Sequence, residues 1–427
     1  MLLQSIPRFL RPLAARELSV WALLALPTGI LSGGVAGVLV NTVFGPELPV
    51  WAIGIAVAIM TGAGSFANIG SPLWAHWSLG RGKLKALNQL QTVLAASLIV
   101  AALMPIGPVG LIGFIAAILA AQIVWTGMIT IRASLWRLNY GRAARFAFAA
   151  DNQAIVATLQ ALTAAATGWL IQAQTGLFRA LLVVAAACAV LSLLRTRGLR
   201  LRRERRLLAA ERRQAEAEPF RIGRHFSILR EDPLYRRYMR CMMIQGSGNL
   251  MFTAPLILAM TRELGISSFV QVLVTTAVPT LVVPFSSRYW ARALAHEHVI
   301  SFRRRNSRWF TLAIALTTVA VLAGQAPLLW LSAIVYGVAI GGGMLGWNLG
   351  HNDFAPEARA ADYLGLHVSL TGIRGLVAPL IGVWLYGLLE TLAPGAGHWS
   401  LLLPLALTAA GSWSFARFDR DFRRERE

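Results

Sequence analysis

Charge is scarce in this chain of 427 residues: only 14% are Asp, Glu, Lys or Arg, while 56% are hydrophobic. Soluble domains carry about a quarter charged residues, so a water-soluble globule is excluded and a polytopic membrane protein is indicated. Acid is scarcer still, with 19 acidic residues against 40 basic ones. In a soluble chain the net charge of +21 would suggest nucleic acid. In a membrane protein the simpler cause is that cytoplasmic loops collect Arg and Lys, so no nucleic-acid partner is expected. Lysine is almost missing, with Lys83 and Lys85 alone among the basic residues, which points to a GC-rich bacterial genome. Only two cysteines occur, Cys188 and Cys241, too few for a disulfide framework or a Cys-based metal site. The G-x-S-x-G, Walker A and H-E-x-x-H signatures are all absent. An enzyme, an ATP-driven pump and a zinc protease are therefore not expected, and no cofactor is implied. His296-Glu297-His298 lacks zinc-ligand spacing, and no metal is expected.

What is there is a series of apolar runs. A helix needs about 20 apolar residues to cross a bilayer. Twelve runs qualify: 18–43, 49–71, 88–106, 108–131, 147–172, 177–194, 238–261, 266–287, 308–324, 327–350, 363–389 and 398–416. The first is too long for a cleaved signal and lacks a clear A-x-A site. The preceding MLLQSIPRFLRPLAARE reads as a basic, mildly amphipathic interfacial segment.

Alternate connections differ in charge. Arg8, Arg11 and Arg16 precede the first span; Arg81, Lys83 and Lys85 follow the second; Arg132, Arg137, Arg142 and Arg145 surround the link between the fourth and fifth; Arg303, Arg304, Arg305 and Arg308 follow the eighth. Only Arg179 and Arg262 fall on the opposite side. By the positive-inside rule both termini are cytoplasmic. The organisation expected is a six-helix half at 1–194, a basic cytoplasmic linker at 195–237, a second six-helix half at 238–416 and a cytoplasmic tail at 417–427. Within the linker, RRERRLLAAERRQAEAE pairs acids and bases at helical spacing and reads as a solvated helix near anionic headgroups. The halves look duplicated. Trp74-Ala75 after the second span matches Trp290-Ala291 after the eighth, and Arg142-Ala-Ala-Arg145 matches Arg359-Ala-Ala-Asp362 at nearly the same offset.

Twelve spans, a long basic central loop and two similar halves together resemble the major facilitator superfamily, over nearly the whole chain. The loop GSPLWAHWSLGRGKLKAL resembles the superfamily's cytoplasmic signature: Gly80, Arg81 and Lys83 match its basic end, and Ala75 or His76 stands where the signature has Asp. The Gly-Pro motif of antiporter subfamilies is absent from the fifth span. A looser version, Gly375-Leu-Val-Ala-Pro379-Leu-Ile-Gly382, occupies the eleventh, and no subfamily is assigned. The resemblance implies an all-α fold of two pseudo-symmetric six-helix halves. It also implies that spans 1, 4, 7 and 10 line a central cavity and that the halves rock to expose it to alternate sides.

Ionisable residues inside spans are the first functional candidates, because burying charge in hydrocarbon is expensive. Arg374 sits about 16 Å into the eleventh span, near the midplane, with no acid at similar depth. It is the preferred anchor for an anionic group; satisfaction by helix carbonyls is the alternative. His367 and Thr371 share its helix face, and His367 is a coupling candidate. Asp151 opens the fifth span at the place pseudo-equivalent to His367, and is read as a gate partner for Arg288 or Arg292, as an N-terminal acid or as a proton site. Gln122, Thr126, Gln245 and Asn249 are polar cavity candidates, and interhelical hydrogen bonding would use the same residue types. In GWNLGHNDFA, Trp347 and Asn348 are expected at the cavity floor, with His351 and Asp353 at the membrane surface as gate residues. The stripe Gly29, Gly33 and Gly37 is expected to serve close helix packing. Spans 1, 4, 7 and 8 as bounded contain no acid, so coupling to protons, facilitated transport and exchange all stay open.

The function expected is transport of a small organic, anionic solute across a bacterial inner membrane by a monomer, with protons as the coupling ion if one is used. A non-transporting sensor or assembly factor built on the same fold is the alternative. The partners implied are the solute and the lipid bilayer.

Overall fold

The computed structural model describes residues 6–202, 204–217, 226–356 and 359–425. Parts of the expected linker, residues 203 and 218–225, and the last two residues of the tail lie outside the described residues. All regular elements among those described are helical: α1 (Arg11–Ile30), α2 (Gly33–Phe44), α3 (Val50–Ala67), α4 (Ser71–Trp77), α5 (Lys83–Leu103), α6 (Pro108–Asn139), α7 (Arg142–Ala173), α8 (Phe178–Arg197), α9 (Glu204–Ala217), α10 (Ile228–Glu231), α11 (Pro233–Met251), α12 (Thr253–Arg262), α13 (Ser268–Val272), α14 (Val278–His296), α15 (Val299–Leu322), α16 (Pro327–Leu349), α17 (Ala360–Leu392) and α18 (Leu402–Arg424), with short 3-10 and π turns between some of them. Among the described residues, eleven helices are long and apolar enough to cross a membrane. The twelfth is α15, whose 24 residues begin with the basic turns that hold Arg303, Arg304, Arg305 and Arg308. The ninth span therefore starts nine residues before the expected 308, because Arg303 and its neighbours are helical rather than loop.

The first span differs from expectation in two ways. Its helix begins at Arg11, with Pro12 in the first turn, where a missing backbone N–H costs nothing. One face of the described part of the segment read as interfacial packs inward: Ile6, Leu10 and Ala14 are buried with Tyr140, Ala144 and Phe148. Secondly, the span breaks at Leu31–Ser32, where Ser32 is extended with φ −59° and ψ 140°.

The chain divides into two compact units. In the first, made from residues up to Leu31, Gly70–Thr163 and Gly176–Ile222, α5 packs between α6 and α8, and α1 lies on α8. Buried Gln91 on α5 ties this packing together. Its amide donates to Ser192 Oγ at 2.9 Å and Thr196 Oγ1 at 3.1 Å on α8, and Ser192 Oγ donates to the Val20 carbonyl of α1 at 3.0 Å. Such side-chain hydrogen bonds hold membrane helices together where burial of apolar surface gives no net drive. Helix α9 docks on the loop that resembles the superfamily signature. Glu211 accepts from Gly80 N at 2.9 Å and from Lys83 Nζ at 2.7 Å, and Glu204 accepts from Lys83 N at 3.0 Å. The helix read as solvated thus supplies the carboxylate that neutralises buried Lys83.

The second unit comprises Ser32–Ile69, Ala164–Thr175 and the chain from Gly223 onwards. Here α16 packs on α14 and α15, α18 on α11 and α15, and α17 on α3 and α11. The α3–α17 crossing is close because both faces are glycine: a Cβ at Gly62 would collide with the Gly375 carbonyl, and one at Gly375 with the Ser65–Phe66 backbone. Helix α18 runs on to Arg424, because Phe415, Phe418, Asp419 and Phe422 recur at helical spacing and are all buried. Asp419 receives Arg304 Nε and Arg423 Nε, each at 3.1 Å.

Candidate functional site

In the second unit the sequence candidates gather around α17. Arg374, near the middle of this 33-residue helix, is 4% exposed. It donates to the Met242 carbonyl of α11 and, at 2.8 Å, to Thr371 Oγ1, while its Nε has no hydrogen-bond partner. The guanidinium reaches Met242 because Gly246, one turn further along α11, has no side chain. A Cβ there would overlap the guanidinium. Among the described residues no carboxylate forms an ion pair with Arg374. Trp347 of α16 donates through its indole N–H to Thr371 at 3.3 Å, and its ring meets that of His367 edge-on at 5.8 Å. His367 is fully buried, and neither ring nitrogen has a hydrogen-bond partner. Arg374, Thr371, His367 and Trp347 therefore form one cluster.

The remaining candidates of this unit have other surroundings. Gln245 is 3% exposed and backs onto Gly411 of α18. Asn249 is three residues beyond Gly246, on the helix face that meets α17, and its Oδ1 has no partner. Asn348 is exposed and folds back to the Met344 carbonyl of its own helix at 2.8 Å. His351 is buried within the protein, at 5% exposure, with Nδ1 unpartnered. Asp353 is exposed, and its carboxylate accepts the Val299 N–H at 2.6 Å, capping α15. Arg292 is exposed on α14.

Two residues that the sequence did not single out for a site join the cluster's surroundings. Arg303 of α15, 3% exposed, donates to Tyr238 Oη at 3.3 Å, to Asn306 Oδ1 at 3.4 Å and to the Gly343 carbonyl at 3.5 Å. Tyr238 is fully buried one turn before Met242 on α11. A basic residue beside an apolar run reads as loop, so only the helix start at Val299 would have revealed Arg303.

In the first unit Gln122 donates to the Leu31 carbonyl, which the break in the first span leaves without its helical partner. Thr126 bonds the Ile123 carbonyl at 2.8 Å, and Trp74 Nε1 donates to that same carbonyl at 2.9 Å. Asp151 is half-buried on α7.

This unit also holds a carboxylate that the sequence reading placed outside the span. Glu17 is 1% exposed on α1, accepts the Tyr140 hydroxyl at 2.9 Å through Oε2, and accepts no hydrogen bond through Oε1. Arg132 of α6 interacts with it electrostatically and lies 5.0 Å from the Trp21 ring and 4.7 Å from that of Trp136. Burial and the adjacent Glu17 push the Tyr140 phenol well above its ordinary range, so it stays a donor. The first span therefore does contain an acid. The apolar run begins at Leu18, but the helix begins a full two turns earlier at Arg11. Pro12 was the available signal.

Solved structures share this architecture. The chain superposes on the nucleoside transporter NupG, as its D323A mutant, with a TM-score of 0.70 at 14% identity over 95% of this chain and 99% of that one. It matches the inward-open xylose transporter XylE from E. coli with a TM-score of 0.70 at 12% identity over 96% of each chain. A POT family transporter in complex with a thioalcohol-conjugated peptide gives 0.69 at 12% identity over 98% and 99%. No sequence-family model and no curated protein sequence matches the chain. The fold is that of the major facilitator superfamily, in a multi-pass membrane protein.

Proposed function

We propose that the protein is a secondary transporter that carries a small organic anion across a bacterial inner membrane by alternating access, as a monomer with both termini cytoplasmic. The observation that carries the anionic preference is Arg374. It is a guanidinium buried in a membrane helix, held by one carbonyl and one hydroxyl and not ion-paired with any described carboxylate. A buried charge that lacks a counter-charge is costly, and an anionic solute offsets it. Likeness in fold to nucleoside, xylose and peptide transporters supports transport as the activity. The positive-inside distribution supports the orientation.

The test is flux in proteoliposomes with a panel of labelled carboxylates, phosphates, sugars and nucleosides. Arg374→Gln is expected to abolish uptake of the transported anion. Unchanged affinity and rate in that variant would remove Arg374 from the site.

A second reading concerns coupling. Glu17 is a buried carboxylate beside Arg132, the Tyr140 hydroxyl and the indoles of Trp21 and Trp136. That environment suits a group that takes up and releases a proton as its surroundings change. Glu17 is thus a stronger coupling candidate than His367, whose buried ring shares its cluster with the Arg374 guanidinium.

A further inference from the structure

We infer that the Arg374 site takes a solute with two negative charges and that Arg303 is its second cationic anchor; this rests on the anion-transport reading above. Both arginines are tethered to residues of α11. Arg303 is tied to the Tyr238 hydroxyl and Arg374 to the Met242 carbonyl, four residues apart on the same face of α11. At 1.5 Å per residue the backbones of Tyr238 and Met242 are about 6 Å apart along the axis. Both guanidinium groups are at least 95% buried, and each lies within electrostatic reach of the other.

The described acids around this region are committed elsewhere. Asp353 caps α15 through the Val299 N–H. Asp419 is bound by Ser301, Arg304 and Arg423. Asp232 accepts from Tyr235 N and the Tyr363 hydroxyl. None forms an ion pair with Arg303 or Arg374. The described hydrogen-bond partners of the two arginines are all neutral. The rings of His367 and His351 lie within reach of the same field, with three of their four nitrogens buried and unpartnered.

Two fixed positive charges, spare imidazole nitrogens and no ion-paired carboxylate among the described residues favour one class of ligand. A neutral sugar would leave both guanidinium groups unneutralised, and a monoanion would leave one. A short dicarboxylate or a phosphate monoester supplies two negative charges on one small molecule. The long contacts of Arg303, all between 3.3 and 3.5 Å, leave its donors able to turn to such a group.

The experiment uses the full-length protein in nanodiscs, with thermal stabilisation titrated at matched ionic strength by succinate, glycerol 3-phosphate, acetate and glucose. Succinate, glycerol 3-phosphate or both are expected to bind at least about tenfold more tightly than acetate. A response confined to one of the two supports the inference and identifies the source of the charges. Arg303→Gln is expected to reduce dianion affinity to the acetate level, Arg303→Lys to keep most of the preference, and Arg374→Gln to remove all anion binding. Equal affinity for acetate and the dianions in the unaltered protein overturns the inference, as does a preserved preference in Arg303→Gln. If Arg303→Gln does not fold, the unaltered protein and Arg303→Lys decide. Loss of anion binding in Arg374→Gln with the dianion preference intact in Arg303→Gln leaves the transport reading standing and this inference refuted. Stabilisation by glucose alone, or by none of the four, overturns both.

Discussion

Gly246→Ala tests the central contact of the candidate site. A Cβ at position 246 would overlap the Arg374 guanidinium, so that group must leave the Met242 carbonyl. Alanine by itself favours the helix by about 1 kcal/mol over glycine. Against this, overpacking a close contact costs roughly 1–3 kcal/mol, and each hydrogen bond from a charged group contributes about 1.5–3 kcal/mol. With the Met242 bond lost and the Thr371 bond weakened, Gly246→Ala should destabilise the protein by about 2–4 kcal/mol. With Arg374→Ala already present the space is open, and the same substitution should be neutral or stabilising by up to about 1 kcal/mol. The coupling between the two positions is then about 3 kcal/mol, far above the few tenths seen for independent sites. Reversible unfolding of the four proteins in mixed micelles measures it. An equal cost for Gly246→Ala in both backgrounds would refute the claim that this glycine exists to admit the guanidinium.

Three further outcomes are expected. Lys83 and Glu211 are paired at 2.7 Å with side chains 1% and 10% exposed, so Glu211→Ala should cost about 3–5 kcal/mol by stranding a buried ammonium. The double variant Lys83→Met with Glu211→Ala should recover most of that loss in the same unfolding assay, and failure to recover would mean that α9 docks by other contacts. Glu17→Gln should abolish the component of flux driven by a pH gradient while solute counterflow persists; a variant whose flux still follows the gradient would take Glu17 out of coupling. Burial raises the Glu263 carboxyl above its ordinary 4.5, although the Tyr386 hydroxyl bonded to it at 2.7 Å opposes the shift. The fold therefore favours the protonated form, and this contribution is full below about pH 4.5 and fades as pH rises through the folded-state value. Melting temperatures of Glu263→Gln should accordingly fall less than those of the unaltered protein between pH 4.5 and 7, and parallel slopes would count against it.

Local sequence is enough to specify a membrane span. A bilayer demands about 20 apolar residues, and a helix satisfies its own backbone within that segment. For that reason the helices, and with them the major facilitator fold, are legible without any contact map. Arg374 is legible for the same reason, since a charge inside an apolar run stands out from its own neighbours. Glu17 and Arg303 escape such a reading because each sits in a basic stretch that borders its apolar run, and only packing shows that the helix extends over them. Gln122 is visible as a polar residue, but its partner is a carbonyl freed by a helix break ninety-one positions away in the chain. The sequence by itself determined which segments are long and apolar enough to cross a membrane and that one of them carries an arginine with no acid at similar depth. The tertiary structure alone decided that Gly246 makes room for Arg374, that Arg303 and Arg374 are both tethered to α11, and that Glu211 answers Lys83. Those pairings join residues more than a hundred positions apart in the case of Lys83 and Glu211. They depend on how helices cross, which no local pattern encodes.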